Sequence, residues 1–443
     1  MPRCPTRPLA ALITALALGA AAAPAWAADP MFDEQWALNT PAATGAAEAW
    51  TQSKGDGVVV AVLDSGVQLD HPDLAGNLWT NPAEVAGNGV DDDRNGYVDD
   101  VHGANMISTG QSATDDEGHG THVAGIVAAP GANGVGGSGI APGAKIMSVK
   151  VLDANRVGNS SLLARGIRYA IDQGARILNV SLNGDGTSQD LDEALRYAGD
   201  HGASVVTSAG NNARDLDQQP SYPASSALPS VLSVTATDRS GGLLAVANTG
   251  LRSVDIAAPG ATILSTARGS GYELRQGTSM AAPFVAGSLA LLAAARPDLP
   301  QSALRDALLA SAPRGAALSR MLGSGSLDVG AAMHRLRPGA MWRNAPVRPV
   351  PTTAAASVRV LAKARMRSGS ATVRWRASGD QRVSHWRVTL DGRRVGKVPN
   401  GKRSLLRKRV SRAGKHRWKV VGLDVRGSKV VSAARSFRVV RRG

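Results

Sequence analysis

The chain has 443 residues, of which 43% are hydrophobic, and it contains a single cysteine, Cys4. One cysteine excludes an intrachain disulfide framework, so stability must come from a large core and from any bound metal. Charge is unevenly distributed: residues 352–443 carry 26 lysines and arginines against three aspartates, a net charge of +23, and the total of +15 leaves residues 1–351 at −8. An acidic body with a basic tail predicts two parts with different partners.

The first 27 residues have the pattern of an export signal. Arg3 and Arg7 supply positive charge, an apolar run follows from Leu9 to about Ala23, and Ala25-Trp26-Ala27 fits a small-residue cleavage site. The apolar run is short for a membrane span. We therefore expect residues 1–27 to be a signal peptide, and the mature protein to be secreted or periplasmic without a membrane anchor.

Apolar runs alternate with segments of helical period across residues 28–336. This alternation predicts an α/β catalytic domain in which a parallel sheet carries helices on both faces. The site of such a sheet forms beyond the carboxyl ends of its strands, where Asp64 and Asn211 are found. The predicted strands are Val58–Leu63, Lys145–Val151, Ile177–Leu182 and Ser204–Ser208, and the predicted helices are Leu162–Gln173, Leu191–His201, Ala281–Ala295 and Gln301–Ala310.

The C-terminal quarter of the chain has a different period. Residues 337–352 are rich in Pro, Arg and Ala and are predicted to form a linker. Across residues 353–443, short runs alternate apolar and basic residues, and turn signals such as Asp391-Gly392 separate them. This pattern predicts a small all-β domain, an immunoglobulin- or fibronectin-like sandwich. Its outward arginines indicate polyanion or cell-envelope binding through charge, and its inward tryptophans argue against specific nucleic-acid recognition.

Three separate motifs each place one reactive residue at a structural boundary: Val60–Gly66, His119–Gly125 and Gly277–Pro283. A serine hydroxyl needs an adjacent base to accept its proton during attack. Ser279 stands just before a helix-opening Ala281-Ala282-Pro283, where free backbone N–H groups favour a developing oxyanion. A simple helix N-cap is the alternative role for this serine.

The second and first motifs offer a base and an acid. His119 is the candidate general base, and His122, three residues further along the same helix, is its competitor. Asp64 ends an apolar strand, where a buried carboxylate is costly without a partner. Accepting the imidazole N–H of His119 would supply that partner and fix the tautomer, although Asp64 could instead cap the turn before Gly66.

The order acid, base, nucleophile in these motifs resembles that of the subtilisin-like serine peptidases (subtilases). The resemblance covers roughly residues 29–335. It implies a secreted serine endopeptidase that cleaves peptide bonds through an acyl-enzyme, with protein or peptide substrates. It also implies that Asp64, His119 and Ser279 are catalytic and that His122 is structural.

Further site residues follow from the same resemblance. Ser208–Asn212 is similar to the family's oxyanion segment, which implies that the amide of Asn211 stabilises the tetrahedral oxygen. Family members often have glycine where this chain has Asn183, a difference that bears on the width and polarity of the specificity pocket. No acidic cluster in this segment demands a basic residue before the cut, so a broad, mainly apolar preference is the default expectation. The residues expected to bind substrate are Ser181, Leu182, Asn183, Gly184, Ala209 and Gly210.

Two calcium sites are expected, and no organic cofactor. The loop 87–100 alternates oxygen-bearing side chains around a turn glycine, and Asp91, Asp93, Asn95 and Asp99 are its candidate ligands. His102 stands where an EF-hand would have its bidentate glutamate, so the loop is not an EF-hand, and an exposed acidic loop without metal is the alternative. The family resemblance implies a second site from Asp29, Asp73 and the loop at Asn133.

A binding protein is the rival hypothesis from another functional class. In that case the fold would be a catalytically dead subtilase scaffold that delivers the basic tail to an anionic surface. The presence of all three triad residues together with Asn211 argues against it.

Overall fold

A computed structural model describes residues 29–313, 318 and 322–337, and in the C-terminal part residues 357–361, 365–367, 369–378, 385–391, 393–399, 405–410, 414–423 and 429–440. The predicted signal peptide and most of the predicted linker lie outside the described residues. The boundaries proposed for the signal, the catalytic domain, the linker and the tail stay predictions.

A seven-stranded parallel sheet forms the centre of the larger part, in the order β2-β3-β1-β4-β5-β6-β7. Its strands bury nearly every residue, which confirms the predicted parallel sheet covered on both faces. Four of these seven strands, β1, β3, β4 and β5, were predicted to within two residues. The strands are β1 (Val59–Asp64), β2 (Gly103–Asn105), β3 (Lys145–Lys150), β4 (Ile177–Val180), β5 (Ser204–Ser208), β6 (Val231–Thr237) and β7 (Ile256–Pro259).

Helices cover both faces of this sheet. Helices α4 (His119–Ala128) and α7 (Thr278–Ala295) pack against each other on one face, and α5 (Ser160–Asp172) and α6 (Gln189–Asp200) pack on the other. Alternate residues of β1 serve the two layers: Val60 and Val62 join the core of α4 and α7, whereas Ala61 and Leu63 join that of α5 and α6. Each fully buried valine or leucine contributes roughly 1.5–3 kcal/mol to this packing.

Local sequence fixes where these helices begin. The side chain of Asn159 accepts from the N–H of Leu162 at 2.9 Å, and Ser188 accepts from Leu191 at 3.2 Å, so each caps the N-terminus of its helix. Helix α7 is, among the described helices, the one long and apolar enough to cross a membrane by length and composition, but 78% of that stretch is buried in the fold. Its apolar character therefore serves the core, as the sequence predicted.

Smaller elements complete the larger part. A hairpin of β8 (Ile263–Ala267) and β9 (Gly271–Arg275) packs on α4. The remaining helices are α1 (Trp36–Asn39), α2 (Pro41–Thr44), α3 (Ala46–Ala49), α8 (Gln301–Ser311) and α9 (Val329–Arg335), with 3₁₀ turns at Phe32–Glu34 and Ala75–Asn77.

The described residues of the tail are arranged in two sheets. One has the order β10-β12-β15 and the other β11-β17-β16-β13-β14. The hairpin turn expected at Asp391 lies between β13 and β14, while the immunoglobulin- or fibronectin-like assignment stays a prediction. The strands are β10 (Ser357–Leu361), β11 (Arg365–Arg367), β12 (Gly369–Ser378), β13 (His385–Leu390), β14 (Arg393–Pro399), β15 (Leu405–Val410), β16 (Gly414–Leu423) and β17 (Lys429–Val440).

Candidate active site

The carboxyl ends of three neighbouring strands bring the candidate residues together. Asp64 is the last residue of β1, Ser181 follows β4, and Asn211 comes shortly after β5. These strands are adjacent in the order β1-β4-β5, and all of them run in the same direction. Helices α4 and α7 begin with His119 and Thr278. The sheet thereby gathers on one edge residues that are far apart in sequence.

The acid and the base form a direct pair. Nδ1 of His119 lies 2.7 Å from Oδ1 of Asp64, and both side chains are buried. Because a carboxylate can only accept, this contact places the imidazole proton on Nδ1 and leaves Nε2 free to act as a base. The N–H of Ser65 also donates to Asp64 Oδ1, at 2.8 Å, which fixes the carboxylate.

Close backbone approach makes this pair possible. An ideal Cβ at Gly120, the second residue of α4, would lie 2.0 Å from the carbonyl oxygen of Gly66 and 3.0 Å from Cβ of Asp64. A side chain at position 120 would therefore push α4 away from the end of β1. The glycine after His119 is a steric requirement of the Asp64–His119 contact.

A buried carboxylate that sequence analysis missed joins the two segments. Asp115 accepts from the hydroxyl of Ser65 at 2.9 Å and, on its other oxygen, from the N–H and hydroxyl of Thr121 at 2.9 and 2.6 Å. It also accepts from the N–H groups of Glu117 and Gly118. Burial raises the pKa of Asp115, but these hydrogen bonds outweigh burial and hold the pKa below its usual value.

His122, the competing base, makes no hydrogen bond to Asp64 among the described residues. Its Nε2 lies 3.1 Å from the carbonyl oxygen of Glu273, on the β8–β9 hairpin. Burial lowers the pKa of His122 to about 4, so the ring is neutral near pH 7. This histidine therefore connects α4 to the hairpin.

Ser279 lies in the first turn of α7, against the segment that follows β4. Its hydroxyl donates to the carbonyl oxygen of Ser181 at 3.1 Å, and the hydroxyl of Ser181 donates to the carbonyl oxygen of Ser279 at 2.9 Å. None of the hydrogen bonds among the described residues joins Ser279 Oγ to His119. Unliganded sites often hold this contact long, and it tightens only with substrate.

The side-chain oxygen of Asn211 is held against the start of α7. It accepts from the backbone N–H of Thr278 at 2.9 Å and from the hydroxyl of Thr278 at 3.2 Å. The same hydroxyl accepts from the N–H of Gly210 at 3.0 Å. With its oxygen engaged in this way, Asn211 has its amide nitrogen available as a donor beside the N-terminus of α7.

The residues expected to bind substrate lie in two neighbouring segments. Ser181 is buried, Leu182 is half-buried, and Asn183 and Gly184 are exposed. An ideal Cβ at Gly210 would lie 2.8 Å from the amide nitrogen of Asn183, so the two segments run side by side. An ion pair that the sequence did not predict lies at their exposed end, where Arg214 Nη1 and Asp185 Oδ1 are 2.6 Å apart.

Three carboxylates meet at the acidic loop, and only one of them is among the expected ligands. Ligand oxygens of Glu84, Asp93 and Asp100 lie within 4.8 Å of one another. Oε2 of Glu84 is buried and lacks a hydrogen-bond partner among the described residues. Such a donor set of hard oxygens fits calcium. Asp93 was expected from the sequence, whereas Glu84 and Asp100 were not.

The other expected ligands of this loop, like Asp93 and Asp100, make hydrogen bonds within the fold, and their assignment as calcium ligands stays a prediction. Asp91 accepts from the N–H groups of Asn95 and Gly96, and Asp99 accepts from the N–H groups of residues 87, 88 and 89. The amide of Asn95 donates to both Asp93 and Asp100. These contacts give Asp91, Asn95 and Asp99 a role in shaping the loop.

The residues of the second expected calcium site do meet. Asp29 accepts from three N–H groups of residues 132–134, and Asp73 accepts from the amide of Asn133 at 2.9 Å. Both carboxylates are buried. Burial raises the pKa of Asp73 to about 6, and the charge of Asp29 adds to the rise. Two buried carboxylates that repel each other suit a bound cation.

Comparison with known proteins identifies the family. The model of the Subtilase family matches residues 55–325 of the chain. The chain belongs to the subtilase family. Thermitase from Thermoactinomyces vulgaris is 37% identical over 265 residues, which are 60% of this chain and 84% of thermitase. The predicted class, a subtilisin-like serine peptidase, is confirmed at the level of the family.

Other relatives share the subtilase region. Subtilisin-like protease 1 from Plasmodium berghei is 33% identical over 287 residues, or 60% of this chain and 47% of that protein. A solved protease structure from Pseudoalteromonas arctica has 30% identity and a TM-score of 0.58, and it covers 69% of this chain and 98% of the other. This chain spans about half the length, or less, of several curated relatives, including 38% of fervidolysin from Fervidobacterium pennivorans.

Proposed function

We propose that this subtilase is a serine endopeptidase in which Asp64, His119 and Ser279 form the catalytic triad. The observation that carries the proposal is the 2.7 Å contact between the buried carboxylate of Asp64 and Nδ1 of His119. The position of Ser279 also supports the proposal, because Ser279 lies in the first turn of α7, the helix that packs against α4. Asn211, held at the same terminus, is the proposed oxyanion donor.

In the acylation half, Ser279 Oγ attacks the carbonyl carbon of the scissile peptide while His119 Nε2 takes the hydroxyl proton. Asp64 stabilises the imidazolium that forms, because it accepts the Nδ1 proton. The amide nitrogen of Asn211 and the N–H of Ser279 donate to the tetrahedral oxygen. Collapse breaks the C–N bond, and His119 gives its proton to the leaving amine.

Deacylation repeats these steps with water as the nucleophile. His119 takes a proton from the water as its oxygen attacks the acyl carbon, and the same two donors stabilise the second tetrahedral oxygen. The ester bond then breaks and His119 returns the proton to Ser279 Oγ. The carboxylic acid leaves and the enzyme is restored.

Extended protein or peptide chains are the proposed substrates. The segment from Ser181 to Gly184 would pair with substrate backbone, while Ala209 and Gly210 would form the facing wall. A mainly apolar preference stays the default expectation. The exposed amide of Asn183 beside Gly210 supports a pocket that is narrower and more polar than a glycine at position 183 would allow.

Replacement of the nucleophile tests the catalytic proposal. Ser279→Ala should abolish cleavage of casein and of peptide substrates while the fold is retained, and the expected loss of kcat is about a million-fold, the scale found when subtilisin loses its nucleophile. A serine-directed sulfonylating reagent should label the parent enzyme and leave Ser279→Ala unlabelled.

Ser288→Ala is the matched control, because Ser288 lies on the same helix and donates only to the carbonyl oxygen of Phe284. It should retain cleavage and labelling. Near-parental activity in Ser279→Ala would refute the proposed nucleophile. A parent protein that folds, resists labelling and clears no casein would favour the inactive scaffold.

Structural calcium is part of the proposal. Glu84, Asp93 and Asp100 would hold one ion, and Asp29 with Asp73 would hold another. Bound calcium would supply positive charge that cross-links these loops and offsets the repulsion between their carboxylates. No catalytic step passes through either ion.

Export and a polyanion-binding tail complete the proposed function. The pattern of residues 1–27, together with the similarity to a halolysin-like extracellular serine protease from Natrialba magadii, supports a secreted or periplasmic protein. We propose that residues 28–336 form the catalytic domain and that, beyond a linker at 337–352, residues 353–443 form a basic β-sandwich. Its net positive charge would bind anionic polymers through counterion release, without reading a nucleotide sequence.

Strand register indicates which basic positions to test together. Arg365 pairs with Arg438, and Arg438 pairs with Lys415, so these positions share one face of the five-stranded sheet, whereas Arg359 belongs to the other sheet. The double reversal of Arg365 and Arg438 to Glu should lower the salt concentration at which the protein leaves a heparin column.

Reversal of two exposed arginines of the catalytic domain, Arg196 and Arg239, changes the total charge equally and is the control. Equal shifts for both pairs would show that retention follows net charge alone. That result would refute a binding surface on the tail.

A further inference from the structure

A buried asparagine lies beneath the loop that carries Asn211. Asn248 is 1% exposed and stands between β6 and β7. Its amide nitrogen donates to the carbonyl oxygen of Ala209 at 2.9 Å. Its amide oxygen accepts from the N–H groups of Asn212 and Arg214, at 3.0 and 2.9 Å. One side chain thus holds the backbone on both sides of Asn211.

The backbone of Asn248 makes two further hydrogen bonds. The N–H of Asn248 donates to the carbonyl oxygen of Gly210 at 2.9 Å. Its own carbonyl oxygen accepts from the hydroxyl of Thr235, which anchors it to β6. Gly210 has a φ of +103°, and a Cβ there would lie 2.5 Å from the amide nitrogen of Asn248. The asparagine amide therefore packs directly against the residue that precedes Asn211.

This support is needed because the loop itself is exposed. Residues 211–213 are exposed, and Asn211 is fixed at its side chain only through the oxygen that accepts from Thr278. An oxyanion donor works by being in place before the negative charge develops, and small displacements cost most of its effect. Without Asn248, three backbone groups around the donor would lose their buried partners.

We propose that Asn248 is a positioning residue that sets the oxyanion donor, acting on the reaction through Asn211. It contacts neither the substrate segment 181–184 nor the triad in the hydrogen bonds of the described residues. The inference rests on the proposed role of Asn211. It predicts that the contribution of Asn248 to turnover disappears once Asn211 no longer has its amide.

Steady-state kinetics on a peptide substrate tests this coupling. Asn248→Ala should lower kcat by roughly 10- to 100-fold with little change in KM, up to the loss expected from removing the donor itself. In the Asn211→Ala background the same change should lower kcat less than about 3-fold. A peptide aldehyde, which forms a tetrahedral adduct, should bind Asn248→Ala more weakly, while a product peptide should bind it as it binds the parent.

Asn105→Ala is the matched control. Asn105 is also buried, its amide donates to the carbonyl oxygen of Ser112, and its oxygen accepts from the N–H groups of Ile107 and Ser108. Asn105→Ala removes the same three kinds of hydrogen bond, but their backbone partners lie in the segment 107–112, which contains no catalytic residue. Its kcat should stay within about 3-fold of the parent even where its melting temperature falls.

Thr235→Val provides a milder second variant if Asn248→Ala does not fold, because it removes only the hydroxyl that anchors the carbonyl of Asn248. It should lower kcat several-fold, and again only when Asn211 is intact. An equal loss of kcat in both backgrounds, or a kcat unchanged in the folded variants, overturns the proposal. Failure of the triad itself would appear separately, as activity retained by Ser279→Ala.

Discussion

Removal of the carboxylate of Asp115 is the most demanding test of how the Asp64–His119 pair is supported. This side chain is 4% exposed and accepts five hydrogen bonds, from Ser65, Glu117, Gly118 and twice from Thr121. At about 1 kcal/mol for each buried donor left unsatisfied, the low end of the usual range, Asp115→Ala should cost about 5 kcal/mol. Because whole domains are stable by only about 5–15 kcal/mol, that loss approaches unfolding.

The conservative variant should lose about half as much. Asp115→Asn keeps one acceptor oxygen and turns an amide towards the remaining donors, so we expect about 2–3 kcal/mol. The free energy of unfolding should be measured by urea titration with calcium present. Ser279→Ala should be used as the background so that self-digestion does not distort the transition.

Asp238→Ala is the comparison variant for this experiment. Asp238 also accepts several hydrogen bonds, from Ser240 and Gly242, but in an exposed turn where water can replace it. It should cost less than about 1.5 kcal/mol. A loss below about 1 kcal/mol for Asp115→Ala would refute the argument that this carboxylate holds the two segments together.

Acid titration gives an independent check on Asp115. Its folded pKa lies below the unfolded value, so the folded state binds its proton less readily than the unfolded chain. The resulting stability is present above about pH 4 and is lost as the pH falls through the folded pKa. Asp115→Asn has no carboxylate to protonate at this position, so below pH 4 its free energy of unfolding should fall less steeply than that of the parent.

Three further outcomes follow from the site. Asn211→Ala should lower kcat on peptide substrates about 10²- to 10³-fold with KM little changed, and an increase in KM alone would contradict an oxyanion role. Gly120→Ala should cost roughly 1–3 kcal/mol in urea unfolding and also lower kcat, since its Cβ would meet the carbonyl of Gly66. Chelation by EDTA should lower the melting temperature, and Asp73→Asn should reduce that response, because calcium stabilises only the folded state. Identical melting curves with EDTA and with calcium would exclude both metal sites.

The sheet and the reactive motifs were predictable because their signals are local. Val59–Leu63 is an unbroken apolar run, as a strand buried on both faces requires, and Ser204–Ser208 combines two valines with small polar residues directly before Ala209-Gly210-Asn211. The strands that were not predicted gave weaker signals: β2 and β7 have only three and four residues, and β6 interrupts its valines with the buried Ser233 and Thr235. Ser279 and His119 were recognisable because small residues surround them in motifs that permit close packing.

The supporting residues were not predictable because their partners are distant in sequence. Asn248 reaches Ala209 and Arg214 across more than thirty residues, and nothing in the sequence near it distinguishes it from an ordinary turn asparagine. In the acidic loop, every second position offers an oxygen, so composition alone could not show that Asp93, rather than its neighbours, lies close to Glu84 and Asp100.

The topology explains why Asn211 needs a support that the acid and the base obtain from regular structure. Asp64 ends β1, and His119 and Ser279 begin or nearly begin α4 and α7, so helix and strand hydrogen bonds fix their backbones. Asn211 lies beyond β5, where the ladder has ended and the residues are exposed. A donor that must be in position before charge develops then requires buried contacts from elsewhere in the fold. Two groups supply these contacts. The amide of Asn248 binds the backbone on both sides of Asn211, and Thr278 in the first turn of α7 donates to the side-chain oxygen of Asn211.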